Sequence, residues 1–203
     1  MDEANGLNNA LMKKYGLLLI LSAGALVSVA QDRAVSNDKA SSRWRFHSIN
    51  TAGWISGKSG SAFQLQTING LQKDRLFLGL GIGTDKYKYA GLPVFVDARL
   101  YTGQRSSAFF LYGDAGIHFV TEKETTRFYD VRYLNGFYSD IGGGYAISCG
   151  RRSAVEFSAG WTYKRVTRRT SYRVYTLGAP EYEKVDKFIY DLTRLVVKAG
   201  FRF

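Results

Sequence analysis

From residue 45 onward, apolar and polar side chains alternate with a period of two, and clusters of Gly, Ser, Asn, Asp and Lys interrupt the alternation at intervals. Successive side chains of a strand point to opposite faces, so this is the signature of an all-β chain; no stretch carries the 3.6-residue period of an amphipathic helix. The pattern predicts eight strands, at 45–56, 61–70, 74–85, 92–101, 108–121, 134–148, 153–165 and 188–203. An even number of long strands predicts a closed, antiparallel, up-and-down β-barrel. The connections after strands two, four and six are short (71–73, 102–107, 149–152), and those after strands three, five and seven are longer (86–91, 122–133, 166–187). That alternation belongs to transmembrane barrels with short turns on one side and long loops on the other; the first hairpin, 57–60, departs from it by being short.

Alternation alone does not say which face points in. Leu76, Leu78, Leu80 and Ile82 oppose Phe77, Gly79, Gly81, Gly83 and Asp85; Val94, Val96, Ala98 and Leu100 oppose Phe95, Asp97, Arg99 and Tyr101. Phe109, Leu111, Ala115, Ile117 and Phe119 oppose Asp114, Gly116 and His118, and Val155, Phe157, Ala159, Trp161 and Tyr163 oppose Glu156, Ser158, Gly160 and Thr162. One face is free of charge, as a lipid-facing surface requires, because one Arg or Lys costs about 2–4 kcal/mol at the bilayer midplane. The other face is charged and glycine-rich, which suits a crowded lumen better than a solvated surface. The lumen is therefore expected to hold Asp97, Asp114, Asp140 and Glu156 with Arg99, Arg194, Lys198 and Arg202 in mutual pairs, Glu156 with Lys198 or Arg202 among them. Arg75, Asp85 and Lys164 share that facing but are assigned to the rims, and the facing of the first two strands is left open. Tyr145, Trp161, Tyr163, Phe201 and Phe203 are expected at the interfaces. A soluble, lipocalin-like ligand-binding barrel is the structural alternative and requires the opposite orientation.

The N-terminus changes the compartment. Met12-Lys13-Lys14, the apolar run Tyr15 to Val27, and Ser28-Val29-Ala30 before Gln31 form the three regions of a secretory signal peptide, over 1–30, with Met12 as the expected start. A 31–44 periplasmic lead-in and a 45–203 barrel follow. The formal charge of +11 suggests nucleic acid in a cytoplasmic protein, but for an exported chain it points to lipid phosphates. Cys149 is the only cysteine, which excludes an intramolecular disulfide.

The closing residues, Leu195-x-Val197-x-Ala199-x-Phe201-x-Phe203, resemble the C-terminal assembly signal of outer-membrane barrels. GLGIGTDKY (79–87), LPVFVDARLY (92–101), FFLYGDAGIHF (109–119) and FYSDIGGGYAI (137–147) resemble the outer-membrane β-barrel families of Bacteroidota, similar in architecture to small OmpA/OmpX-type barrels. The resemblance implies a location in the outer membrane, export by the general secretory pathway, delivery to the barrel-assembly machinery and contact with outer-membrane lipids and lipopolysaccharide. It implies no defined activity, and no peptidoglycan-binding domain is seen after the barrel.

Candidate chemistry is sparse. Gly79-x-Gly81-x-Gly83 lacks the following helix a phosphate loop needs. His47 and His118 have no ligand partners at metal-site spacing, so neither metal nor cofactor is expected. His118 and Asp114 are four strand residues apart, too far for a hydrogen bond, and His118 reads as a satisfied lumen side chain. A lipid A-modifying acyltransferase or deacylase is the enzymatic alternative, but adjacent His47 and Ser48 face opposite ways. The expectation is a monomeric, non-enzymatic barrel with no open pore and no nucleic-acid partner, whose specificity lies in the 166–187 loop with its Arg168, Arg169, Arg173, Lys184, Lys187, Tyr172, Tyr175 and Tyr182. Arg165, Arg168 and Arg169 are the residues expected to meet lipid phosphates.

Overall fold

The computed structural model describes residues 43–103, 107–121, 123–125, 129–150, 153–174 and 182–203. The expected signal peptide and all of the lead-in before Arg43 lie outside them. Among the described residues there are ten strands: β1 (Arg45–Gly57), β2 (Gly60–Lys73), β3 (Leu76–Asp85), β4 (Gly91–Tyr101), β5 (Ser107–Val120), β6 (Lys123–Thr125), β7 (Tyr129–Leu134), β8 (Gly136–Ser148), β9 (Ala154–Val174) and β10 (Tyr182–Arg202). Eight of them form a closed antiparallel barrel in the order β1-β2-β3-β4-β5-β8-β9-β10, and β10 closes onto β1 from Ile49↔Arg202 to Gly57↔Arg194. This is the expected fold class, with the strand count and connectivity read from the alternation.

Two expected loops are strands instead. The segment assigned to a loop at 166–187 is mostly β9 and β10, paired in unbroken register from Arg202↔Ala154 to Tyr182↔Val174. Within 122–133, β6 and β7 form, and β7 pairs with the upper part of β9 from Leu134↔Thr167 to Tyr129↔Tyr172. Between β7 and β8 the register against β9 slips by one residue, from Leu134↔Thr167 to Tyr138↔Lys164. That is a β-bulge, and it lets the two strands follow one another along the same neighbour. β7, β9 and β10 thus extend beyond the ends of β1 to β4 as a tall arm on one side of the barrel.

The opposite rim holds a tight turn between β2 and β3. Asp74 and Arg75 join β2 to β3, with Asp74 at φ 53. Asp tolerates this left-handed conformation because its short side chain can satisfy the local backbone. The expected start of the third strand at 74 and end of the second at 70 are corrected by this geometry: β2 continues to Lys73 and β3 begins at Leu76.

Candidate functional site

The outer wall is apolar. Leu80, Leu111, Ile141, Trp161, Leu195 and Val197 are all more than half exposed, at 69 %, 65 %, 66 %, 61 %, 54 % and 62 %. Phe109, Phe137, Phe157 and Phe201 are exposed beside them, as are Trp54 and Phe63 of the first two strands, which resolves the facing left open there. Tyr145 is exposed, while Tyr163 and Phe203 are half-buried. The inverted, lipocalin-like arrangement is overturned by this distribution. From Phe201 to Asp191 along β10 the apolar belt is about 25 Å tall, at about 3.3 Å per residue and a tilt of about 40°. That matches the ~25 Å band of a bilayer-spanning barrel. Its upper limit is marked on the outer wall by Arg165, 2.7 Å from Asp191, and by the Tyr163 hydroxyl, which donates to Asp191 at 2.6 Å.

The lumen is filled. Ile49, Ile68, Phe77, Phe95, Tyr101, Phe110, Tyr112 and Tyr138 form one buried cluster. Inward glycines make room for these rings: a Cβ on Gly144 would meet the Phe110 ring at 2.5 Å, and one on Gly160 would meet the Tyr112 hydroxyl at 2.6 Å. This is the physical reason for the glycine-rich face, since an eight-stranded barrel leaves room only for side chains.

Charge crosses the lumen at three levels, and all eight residues expected there face inward. Near the tight-turn end, Arg99 Nε is 3.1 Å from Asp97 and its Nη1 is 2.6 Å from Glu156. Glu156 also accepts from the Tyr101 hydroxyl at 2.9 Å and lies 3.5 Å from Arg202 Nε. The expected Glu156–Arg202 contact therefore exists, but Arg99, three strands away around the wall, is the shorter partner. At mid-height, Lys198 Nζ is 2.8 Å from Asp140 and 3.9 Å from Asp114, and it donates to Gln66 at 3.2 Å. Tyr138 accepts there from Gln64 and Gln66 of β2, across the lumen, at 3.2 and 3.0 Å. Asp97, Asp114 and Asp140 occupy one cross-strand row, Asp97↔Asp114↔Asp140. Lys198 and Arg99 border this row and offset the repulsion of three adjacent carboxylates.

At the long-loop end, Arg194 Nη1 lies 2.6 Å from Asp85, and Lys164 Nζ lies 3.1 Å from the same oxygen. Asp85 and Lys164 are completely buried, which corrects their assignment to the rim. The strands run far enough past them that Tyr87 closes over Asp85, its backbone N–H donating to the carboxylate at 2.7 Å. His118 is also fully buried, but neither ring nitrogen has a hydrogen-bond partner among the described residues, so its expected satisfaction is not found. With Asp85 and Lys164 added, five carboxylates (Asp85, Asp97, Asp114, Asp140, Glu156) meet five cations (Arg99, Lys164, Arg194, Lys198, Arg202) in the interior.

Above the lumen, Tyr89 stacks with Tyr133 and Tyr190 at 4.8 and 5.6 Å between ring centroids, and Lys88 Nζ sits 4.4 Å from the Tyr190 ring. Burial, then the hydrogen bond with Tyr190, pushes the Tyr89 hydroxyl above its ordinary value. The strand pairing turns Arg168 inward, toward Tyr133 and Phe188, and turns Arg169 outward, toward Arg132 and Lys187. Of the three arginines expected to meet lipid phosphates, Arg165 is held by Asp191 and Arg168 faces the mouth, which leaves Arg169. Lys184, Arg173, Tyr175 and Tyr182 have no described side chains. Among the described residues there is no group of three or more His, Cys, Asp or Glu side chains arranged to hold a metal ion.

No family model matches the chain, and no curated protein does. Among solved structures, the chain is similar to Neisserial surface protein A, at 14 % identity over 81 % of this chain and 98 % of that one, with a TM-score of 0.48. It is also similar to the outer membrane protein OprG from Pseudomonas aeruginosa, at 12 % identity over 78 % of this chain and 95 % of that one, with a TM-score of 0.44.

Proposed function

We propose that the protein is an outer-membrane β-barrel with a structural and surface-interaction role and no open pore. The observation that carries this reading is the pairing of an uncharged, lipid-compatible outer wall with a lumen crossed by ion pairs. Transfer of the Leu, Val, Ile, Phe and Trp side chains of the wall into water would leave a continuous apolar surface far larger than soluble monomers expose. Placed in lipid, the same wall is at rest, every strand edge within the belt is paired, and the ionic residues are kept from hydrocarbon. β10 supports the assembly route: it carries Leu195, Val197, Ala199 and Phe201 on the outer wall and is the strand that closes the barrel against β1.

A non-enzymatic role is part of the proposal. Ser48 and His47 lie on opposite faces of β1, and no hydrogen-bonded Ser–His–carboxylate set occurs among the described residues. Lipid A chemistry on the outer wall would need such a set turned outward.

The protein is expected to remain with the membrane after a carbonate wash and to migrate faster on a gel unheated than boiled. Release by carbonate together with identical migration would sink the reading. Reconstituted in planar bilayers, it is expected to give no large, steady conductance, because the lumen is bridged at three levels. Ohmic steps of porin size would show that the plug opens.

A further inference from the structure

On the outward face of the arm, cross-strand pairing places Arg132, Arg169 and Lys187 side by side on β7, β9 and β10. All three are exposed. Neighbouring strands are about 4.8 Å apart, so three cations fall within about 10 Å of one another. Arg132 is partnered by Asp130 at 2.9 Å. Arg169 and Lys187 have no acidic partner among the described residues, although like charges directly opposite on adjacent strands are destabilising. Two residues nearer the membrane the next row holds Leu134, Thr167 and Ile189, in which Leu134 and Ile189 are exposed at 42 % and 55 %.

We infer that this face binds the phosphates of a phosphorylated glycolipid in the outer leaflet, with Arg169 and Lys187 as the anion-binding pair. The inference rests on the membrane reading and adds a ligand class and a position to it. The row points away from the mouth, so what lies opposite is the lipid headgroup zone. It stands four strand residues beyond the Arg165–Asp191 pair that marks the top of the belt, about 10 Å higher. Phospholipid headgroups occupy only about 5–7 Å on each side of the hydrocarbon. Phosphates at the height of Arg169 and Lys187 must therefore be carried on a taller, saccharide headgroup. Leu134 and Ile189 beneath supply an apolar shelf, and the Thr167 hydroxyl a polar contact, for the part of the molecule between phosphate and acyl chains. The guanidinium can bind a phosphate bidentately while the ammonium adds a point charge.

The test uses the full-length barrel in detergent, observed by native mass spectrometry with rough-type lipopolysaccharide and with the same glycolipid dephosphorylated. The phosphorylated form is expected to bind about tenfold more tightly. Arg169→Gln with Lys187→Gln is expected to abolish that preference, and Lys73→Gln at the opposite rim to leave it intact. Heat-shifted migration of each variant confirms folding. Equal binding of the two glycolipids, or a preference that survives the double substitution, overturns the inference while leaving the membrane reading standing. Displacement by equimolar inorganic phosphate would assign the site to a soluble anion and equally overturn it. A wild-type chain that fails the carbonate and heat tests sinks the membrane reading itself.

Discussion

Arg99→Met is expected to destabilise the barrel by about 3–5 kcal/mol, the range for breaking a buried ion pair by removing one partner. The guanidinium is only 4 % exposed and contacts Asp97 at 3.1 Å and Glu156 at 2.6 Å. Its plane also lies near the Phe110 and Tyr112 rings, at 5.5 and 5.8 Å from their centroids. Methionine fills much of the volume but leaves two carboxylates facing each other in a dry interior. Glu156 keeps Tyr101 and Arg202, whereas Asp97 stands next to Asp114 in the acidic row, so the cost falls mainly on Asp97. Arg99→Lys is expected to recover part of the loss, since one ammonium cannot reproduce both contacts. Combining Arg99→Met with Asp97→Asn is expected to recover most of it, because Glu156 keeps Arg202 and no carboxylate is then left without a cation. The urea midpoint of the protein refolded into lipid vesicles reads all three. A single Arg99→Met variant as stable as wild type would show that the pairs contribute nothing to holding the lumen closed.

That lumen was partly legible in the amino-acid pattern, and the limit is physical. Period-two alternation assigns each side chain to a face, so the inward placement of Asp97, Arg99, Asp114, Asp140, Glu156, Arg194, Lys198 and Arg202 follows once the uncharged face is matched to lipid. It says nothing about height or about who meets whom across the interior. Similar depth on the adjacent strand points Glu156 to Lys198 or Arg202, but Lys198 turns to Asp140 and barrel closure brings Arg99 of β4 nearer than Arg202. Asp85 and Lys164 sit near the ends of the predicted strands, and only the further course of the chain buries them. The arm was missed for a related reason. In VTRRTSYRV (166–174) and in YDVRYL (129–134) the outward face turns largely polar, with Arg132, Thr167 and Arg169, while the inward face mixes Val131 and Val166 with Arg168 and Thr170. The alternation that identifies a half-buried strand fades where a polar outer face lies opposite an inner face of mixed apolar and polar residues. The small positional signal that remained, outward Arg132, Arg169 and Lys187 against inward Val131, Val166 and Thr170, becomes readable only with the register of β7, β9 and β10.

Val197→Arg tests orientation itself. Val197 is 62 % exposed on the outer wall of β10, between Trp54 of β1 and Ala159 of β9. It lies four residues from Phe201 at one margin of the belt and six from Asp191 at the other, near the middle of the hydrocarbon. An arginine at that depth is expected to cost about 2–4 kcal/mol, against about 0–1 kcal/mol near an interface, so Thr193→Arg serves as the shallow comparison. The next residue, Lys198, already carries a charge at the same height, tolerated because it points inward to Asp140 at 2.8 Å. A step of one residue along the strand thus separates a position that requires a cation from one that rejects it. The expected result is a lower urea midpoint and a smaller heat-shifted fraction in membranes for Val197→Arg, with Thr193→Arg close to wild type. In a water-soluble barrel the same arginine would meet solvent and cost nothing. Equal behaviour of the two variants would mean that the wall carrying Val197 does not face lipid.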